Sequence, residues 1–141
     1  MAKYKVATNT VYKQDDKNGT LRDLTAYVDS LTSLGQEFMS LDVTSFGDGS
    51  ERIIVGIEKS VEWSISGFFE DTATTGPDAV LAPLVGTQGT FEYYPAGTAS
   101  GRRKLSGECL CIFYRPKAEV KGRVEYEAGF KLDGAMTVGT A

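Results

Sequence analysis

Side chains that could carry out covalent chemistry are few in this chain, and their types exclude the commonest mechanisms. None of the 141 residues is a histidine, so neither a Ser-His-Asp nor a Cys-His arrangement can be built from this chain. The carboxylates that could pair for glycoside cleavage are Glu62, Asp71, Glu92 and Glu108, but no spacing singles out two of them. We therefore expect solvated charges on strand faces and no enzymatic activity.

The two cysteines, Cys109 and Cys111, are separated by one residue. In a strand this spacing puts both side chains on one face, too parallel and too far apart for a relaxed disulfide. A zinc site would need two further ligands, and there is no histidine to supply them. We expect two small apolar side chains in the core.

A calcium or phosphate site is also not expected. Asp16, Asn18 and Gly19 fit a calcium loop, but Gln14 occupies its first ligand position and Thr25 stands where a bidentate glutamate is needed. The Lys-Ser/Thr ending of a phosphate-binding loop is missing as well. The sequence therefore predicts no metal and no cofactor.

Charge and hydropathy limit the partners. A net charge of -4 and a pI near 4.9 argue against a general nucleic-acid binder, which needs a basic surface to neutralise phosphates. No apolar run approaches the roughly 20 residues that span a bilayer, and the first ten residues lack the apolar core of a secretory signal. We expect synthesis in a cytoplasm and no membrane partner.

The clearest strand pattern lies at residues 61–70. Val61, Trp63, Ile65 and Phe69 alternate with polar residues, which is the period of a strand with one buried and one wet face. Phe68 breaks the alternation, so the wet face should also be covered at that point, either by the domain's own helix or by a partner subunit.

The remaining chain reads as strands joined by turns. We expect one domain over residues 1–141, beginning with a flexible arm and loop over 1–20; within it, 3–12 fit either a short strand or an extended arm, and 13–20 an exposed loop. Further strands are predicted over 21–30, 38–46, 52–58, 89–95, 102–115 and 122–137, with 52–58 the most fully buried and 46–51 at a hairpin tip. Gly107 indicates a bulge, and Asp133-Gly134 could divide the last strand in two.

One helix is expected, beginning at Pro77, which suits the first helical position. Its apolar stripe is formed by Val80, Leu81, Leu84 and Val85, and Gly86 can end it after about 8–10 residues. The elements together predict a mainly β protein, a β-barrel or β-sandwich of about seven or eight strands with one short α-helix packed on it.

Several stretches follow one another in an order that carries a family resemblance. They are 42–49 (DVTSFGDG), 55–57 (VGI), 60–69 (SVEWSISGFF), the helix before Leu84, 94–97 (YPAG) and the long strands from Arg102 onwards. In this order, and in its small size, the chain resembles the major tail tube proteins of long-tailed, siphovirus-like bacteriophages, from about residue 20 to the end.

The resemblance implies a structural virion protein of the phage tail, made in the host cytoplasm, that is not an enzyme. Such proteins form hexameric rings, which stack into a hollow tube through which DNA passes without specific binding. The implied partners are further copies of the chain, the tape-measure protein, the tail terminator, and baseplate or distal tail proteins.

Three groups of residues are candidates for assembly or for the lumen. By similarity, the ring-stacking loop is Phe46, Gly47, Asp48, Gly49, Ser50 and Glu51, with the amino-terminal arm as a second stacking element. Lumen-facing candidates are Glu62, Glu125 and Glu127, which share the wet faces of the predicted barrel strands. Inter-subunit candidates are Phe68, Arg102, Arg103 and Lys104, although the basic run could equally be a solvated strand end.

Other functions remain open on the sequence. One is a tail completion or terminator protein of the same fold, and related secretion-system tube proteins share the architecture. A monomeric β-sandwich binding sugars or peptides is a different class, and a monomer that does not assemble would favour it. An enzyme would need a carboxylate mechanism without histidine.

Overall fold

A computed structural model describes residues 10–32, 34–118, 120 and 122–141. The amino-terminal arm predicted over the first residues therefore lies largely outside the described part of the chain. The strands are β1 Val11–Asp15, β2 Leu21–Asp23, β3 Ser30–Thr32, β4 Phe38–Asp42, β5 Ile53–Glu58, β6 Glu62–Phe68, β7 Gln88–Tyr94, β8 Arg103–Lys117 and β9 Glu125–Thr140. A 3₁₀ turn spans Thr25–Tyr27, and the helix α1 spans Pro77–Leu81.

Seven strands form one antiparallel sheet in the order β2-β1-β7-β8-β9-β6-β3, and β4 pairs only with β5. The long strands β8 and β9 lie at the centre of the larger sheet and pair along most of their length. The predicted mainly β fold with one short helix is confirmed, and the chain has no helix, in its described ranges, that is long and apolar enough to cross a membrane.

The core lies on one face of the larger sheet. In β9 the buried residues Tyr126, Ala128 and Phe130 alternate with Glu127 and Lys131, as the period of two predicts. The Trp63 ring contacts the Phe91 and Phe130 rings at centroid distances of 4.6 and 5.7 Å. These aromatic contacts hold β6, β7 and β9 together in the core.

Helix α1 covers this core but is shorter than predicted, with five residues instead of eight to ten. It begins at Pro77, as expected, and buries Val80 and Leu81 completely. Ala82 still has helical dihedral angles, but Pro83 follows it, and proline has no backbone N–H with which to continue the helical hydrogen bonds.

The strand predicted over 21–30 is interrupted by the 3₁₀ turn. The Thr25 backbone N–H donates to Asp23 Oδ1 at 2.9 Å, and the Thr25 hydroxyl oxygen accepts from the Tyr12 N–H at 3.2 Å. Such local side-chain bonds give the backbone an alternative to the sheet ladder. Leu24 is nevertheless fully buried.

The loop predicted over 13–20 is also shorter than expected, because 13–15 belong to β1, which pairs with both β2 and β7. Only 16–20 form a turn. In that turn Asp16 Oδ1 accepts from the N–H groups of Asn18 and Thr20, each at 2.9 Å. The Thr20 bond is the main cause of the lowered pKa of Asp16.

Candidate assembly surfaces

The β4–β5 hairpin contrasts most strongly with the expectation from sequence. We expected 52–58 to be the most buried strand, but Val55 is 73% and Ile57 75% exposed. Exposed apolar side chains also continue along β4. The hairpin pairs with no other strand of the described chain. It is therefore a two-stranded sheet that is not part of the larger one.

Both faces of this hairpin are apolar. Pairing of Leu41 with Ile54, and of Ser40 with Val55, sets the register, and alternate residues point to opposite faces. One face therefore carries Phe38, Ile53 and Val55, and the other carries Met39, Leu41 and Ile54. A two-stranded ribbon in water is marginal at best, so these faces need a covering surface that the described chain does not supply.

The hairpin tip contains the predicted stacking loop, Phe46, Gly47, Asp48, Gly49, Ser50 and Glu51. Asp48 Oδ2 accepts from the Ser45 N–H at 2.8 Å, and the Arg52 N–H donates to the Thr44 hydroxyl oxygen at 2.8 Å. Phe46 stands fully in solvent. The tip is thus ordered by its own polar groups while its one aromatic side chain points away from the domain, and its role in stacking stays a prediction.

Glu62, Glu125 and Glu127, the three lumen candidates, lie on one open face of β6 and β9. Glu127 is opposite Ser66 and Glu125 is opposite Phe68, whereas Glu62 is at the other end of the pair, opposite Lys131. Glu62 also forms an ion pair with Lys131 at 3.6 Å. The structure therefore brings all three onto one face, but not into one cluster.

The four inter-subunit candidates do not form one group. Phe68 lies near the beginning of β9, whereas Arg103 pairs with Thr140 at its end. The Arg123 guanidinium covers the Phe68 ring, 3.6 Å from its centroid. The chain itself therefore shields this aromatic side chain in part, through the β8–β9 connection.

The basic run at the beginning of β8 is partly engaged within the chain. Lys104 Nζ is 3.6 Å from Glu92 Oε1 and 5.7 Å from the centroid of the Tyr94 ring. Arg103 donates to the Gly139 carbonyl at 3.5 Å. Arg102 has partners too, so a role of these cations between subunits stays a prediction.

A buried polar group that the sequence reading missed is Gln14. It is fully buried; its Oε1 accepts from the Tyr12 hydroxyl at 2.8 Å, and its Nε2 donates to the Thr90 carbonyl at 3.3 Å. The Tyr12 oxygen in turn accepts from Trp63 Nε1 at 3.2 Å. The one available signal was its spacing of two from Tyr12. This network joins β1 to the core and leaves no site open to a ligand.

The two cysteines are buried in the core, free and unpaired, as expected. In the described part of the chain, no three Cys, Asp or Glu side chains are arranged to hold a metal. Burial is the main cause that raises the pKa of both thiols to about 12.

This burial predicts that the native thiols are inert. At pH 8 the raised pKa lowers the thiolate fraction by about three orders of magnitude relative to a free cysteine. We expect Ellman's reagent to modify Cys109 and Cys111 only after urea unfolds the protein, whereas an added exposed thiol (Ser50→Cys) should react at once. Fast reaction of the unmodified native protein would show that the inner face of β8 opens.

Three solved structures share this architecture. The tail of an empty gene transfer agent particle, refined with C6 symmetry, matches with a TM-score of 0.70 and 18% identity, over 92% of this chain and 94% of that chain. The SPP1 tail tube matches with a TM-score of 0.64 and 10% identity, over 94% and 77% of the two chains. The chain has the tail tube fold.

A tube cap has the same fold. The cap that terminates the tube of the anti-feeding prophage matches with a TM-score of 0.64 and 11% identity, over 100% of this chain and 95% of that chain. No protein-family model and no curated protein matches the sequence. The tail tube fold predicted from the order of the elements is therefore confirmed by structure, at low sequence identity.

Proposed function

We propose that this chain is the structural subunit of a hollow phage tail tube, in which hexameric rings stack and DNA is delivered through the lumen. The observation that carries the proposal is the β4–β5 hairpin, which exposes apolar side chains on both of its faces. The chain also has the tail tube fold. Contiguous exposed apolar surface of this kind marks a protein–protein contact. A second copy of the chain is the partner that a tube requires.

Open strand edges support assembly. β6 pairs with β9 only from Glu125 to Lys131, and no described strand forms a ladder with residues 133–140 on that side, although the Glu58 side chain accepts from the Met136 N–H. The two outer edges of the β4–β5 hairpin are likewise unpaired in the described chain. Edges like these pair with strands of another chain, and head-to-tail contacts close into rings when the rotation permits.

The C6 symmetry of the gene transfer agent tail supports six subunits in a ring. On this proposal the protein resides in the virion tail. Its partners are further copies of itself, the tape-measure protein, the tail terminator and distal tail proteins. The net charge of -4 suits a conduit through which DNA slides, because a basic wall would retain phosphates.

A terminator of the same fold is the second candidate, and the match to the anti-feeding prophage cap over the whole chain favours it. A terminator would add to the end of a tube and stop its growth. A tube subunit would continue to add to further copies of itself, so that the tube keeps growing.

Negative-stain electron microscopy, with size-exclusion chromatography across a concentration series, tests the proposal. Tubes of uniform bore that lengthen with concentration are the expected result. Single rings that never stack would favour the terminator. A monomer at every concentration, even with preformed tube ends added as seeds, would contradict both and favour a monomeric β-sandwich binding module.

Charge reversal tests the lumen face. The triple variant E62K/E125K/E127K should form tubes that retain duplex DNA at low salt and release it at high salt, because lysines on the lumen wall bind phosphates. It should also slow genome delivery in a phage that carries it. The variant E62Q/E125Q/E127Q, which loses the same ion pairs without adding positive charge, is the matched control. Unchanged DNA passage and normal infectivity with the lysines in place would contradict a lumenal position.

A further inference from the structure

The β4–β5 hairpin and the β3–β6 pair are two parts of one interrupted ribbon. Thr32 is opposite Ser64 in the inner part, and Phe38 is opposite Glu58 in the outer part. Thr32 and Phe38 are six residues apart, and so are Glu58 and Ser64. The pairing register is therefore the same on both sides of the interruption. Within it, the Lys59 N–H donates to the Glu37 carbonyl at 2.7 Å.

The interruption is a place where the ribbon can bend. An open cleft lies there, lined by residues that include Gly35, Gln36 and Lys59. A Cβ atom added at Gly35 would meet no atom of the described residues within 4 Å, apart from its chain neighbours. Since the ladder is broken and the cleft is open, the direction of the hairpin depends on the few bonds that link its base to the larger sheet.

One link is the bond from the Ser60 hydroxyl to the Leu132 carbonyl of β9. The charged link is the carboxylate of Glu58. Its Oε2 accepts from the Met136 backbone N–H at 2.7 Å, and its Oε1 accepts from Gln36 Nε2 at 2.8 Å. Gln36 Nε2 also approaches the Met136 carbonyl at 3.4 Å. Glu58, at the end of β5, is thus joined both to the β3–β4 connection and to β9.

A distortion of β9 makes the Met136 N–H available to this carboxylate. Ser106 pairs with Thr137 and Glu108 with Asp133, so residues 134–136 of β9 face Gly107 alone and fall out of the ladder. Met136 is 4% exposed, and a buried backbone N–H needs a hydrogen-bond acceptor. A carboxylate acceptor makes this bond stronger than a neutral one.

We propose that Glu58 is a pin that fixes the direction of the β4–β5 hairpin relative to the seven-stranded sheet, and so presents its apolar faces to a second copy at one angle. A hairpin that is held in one direction loses less conformational freedom when it docks than a hairpin that can move. The docking step rests on the proposed tube function, whereas the pin is a property of the single chain.

Distance measurements on the unassembled protein test the pin. Spin labels at S50C, in the hairpin tip, and S100C, in the β7–β8 connection, are both on exposed positions, and the native thiols are buried. We expect one narrow distance distribution with Glu58 present and a broad one in Glu58→Ala. Hydrogen exchange at the Met136 amide should accelerate at least about tenfold, as expected for loss of a bond to a charged group.

Glu37→Gln is the matched control, because Glu37 forms an ion pair with Lys59 at the same interruption without a side-chain bond to β9. It should keep the narrow distribution. If Glu58→Ala does not fold, Glu58→Gln, which retains one acceptor oxygen, should broaden the distribution to a smaller extent. An unchanged distribution with unchanged Met136 exchange would overturn the pin.

The pin and the tube function can fail separately. If the chain assembles, Glu58→Ala should assemble more slowly than Glu37→Gln at equal concentration, and equal rates would overturn the role of the pin in docking. If the chain never assembles, the tube function fails, and the distance distributions still decide whether Glu58 fixes the hairpin.

Discussion

Replacing Gly67 with alanine should strongly destabilise the folded protein. A Cβ atom at this position would lie 1.8 Å from the carbonyl oxygen of Tyr27 and 2.7 Å from its carbonyl carbon. Two hydrogen bonds oppose a movement of the 3₁₀ turn away from Gly67. The Tyr126 hydroxyl donates to the same oxygen at 2.9 Å, and the Asp29 N–H donates to the Ser66 carbonyl at 2.8 Å. We expect a loss of more than about 4 kcal/mol in the free energy of unfolding, measured by urea denaturation with Trp63 fluorescence.

The matched control for this substitution is Gly139→Ala. Gly139 also lies in a strand, but a Cβ atom there would meet nothing within 4 Å among the residues that the structure describes. Its effect on the free energy of unfolding should stay within about 0.5 kcal/mol. A Gly67→Ala protein as stable as this control would show that β6 does not approach the 3₁₀ turn so closely.

The double variant V55K/I57K should lose tube assembly while the monomer stays folded. Both side chains are mostly exposed in the monomer, so little apolar burial is lost in the single chain. If the hairpin docks on a second copy, each contact loses about 1.5–3 kcal/mol of apolar burial, and buried lysines add a desolvation cost. The concentration needed for assembly should rise at least about a hundredfold.

Chromatography and electron microscopy measure the assembly, and urea denaturation measures the monomer. Val120→Lys makes the same chemical change at a fully exposed valine outside the hairpin and should assemble like the unmodified protein. Normal tubes from the V55K/I57K protein would show that the hairpin is not part of the subunit contact.

Local patterns in the sequence were sufficient for the fold class. The alternation of Trp63 and Ile65 with serines, and of Tyr126 with its glutamate neighbours, is a property of the strands themselves. The start of α1 at Pro77 and the irregularity at Gly107 also follow from single residue types. The order of these elements was specific enough to indicate the tail tube fold.

Local patterns in the sequence did not predict that the hairpin is exposed. An apolar run such as 53–57 has the same sequence whether its own domain or another chain covers it, so the sequence predicted a buried strand where the monomer exposes one. Conversely, Gln14 is fully buried because Tyr12 and Thr90 satisfy its polar atoms. The bond to Thr90 joins residues 76 positions apart, so it is visible only in the folded chain.

By itself, then, the sequence determined most of the segments that become strands and excluded histidine-dependent chemistry within this chain, because these depend on residue types and their spacing. The tertiary structure alone decided that the strands of the lumen candidates, β6 and β9, pair with each other, that Gly67 lies against Tyr27, and that Glu58 meets Met136. These contacts join residues that are tens of positions apart. Their geometry exists only once the sheet register is set.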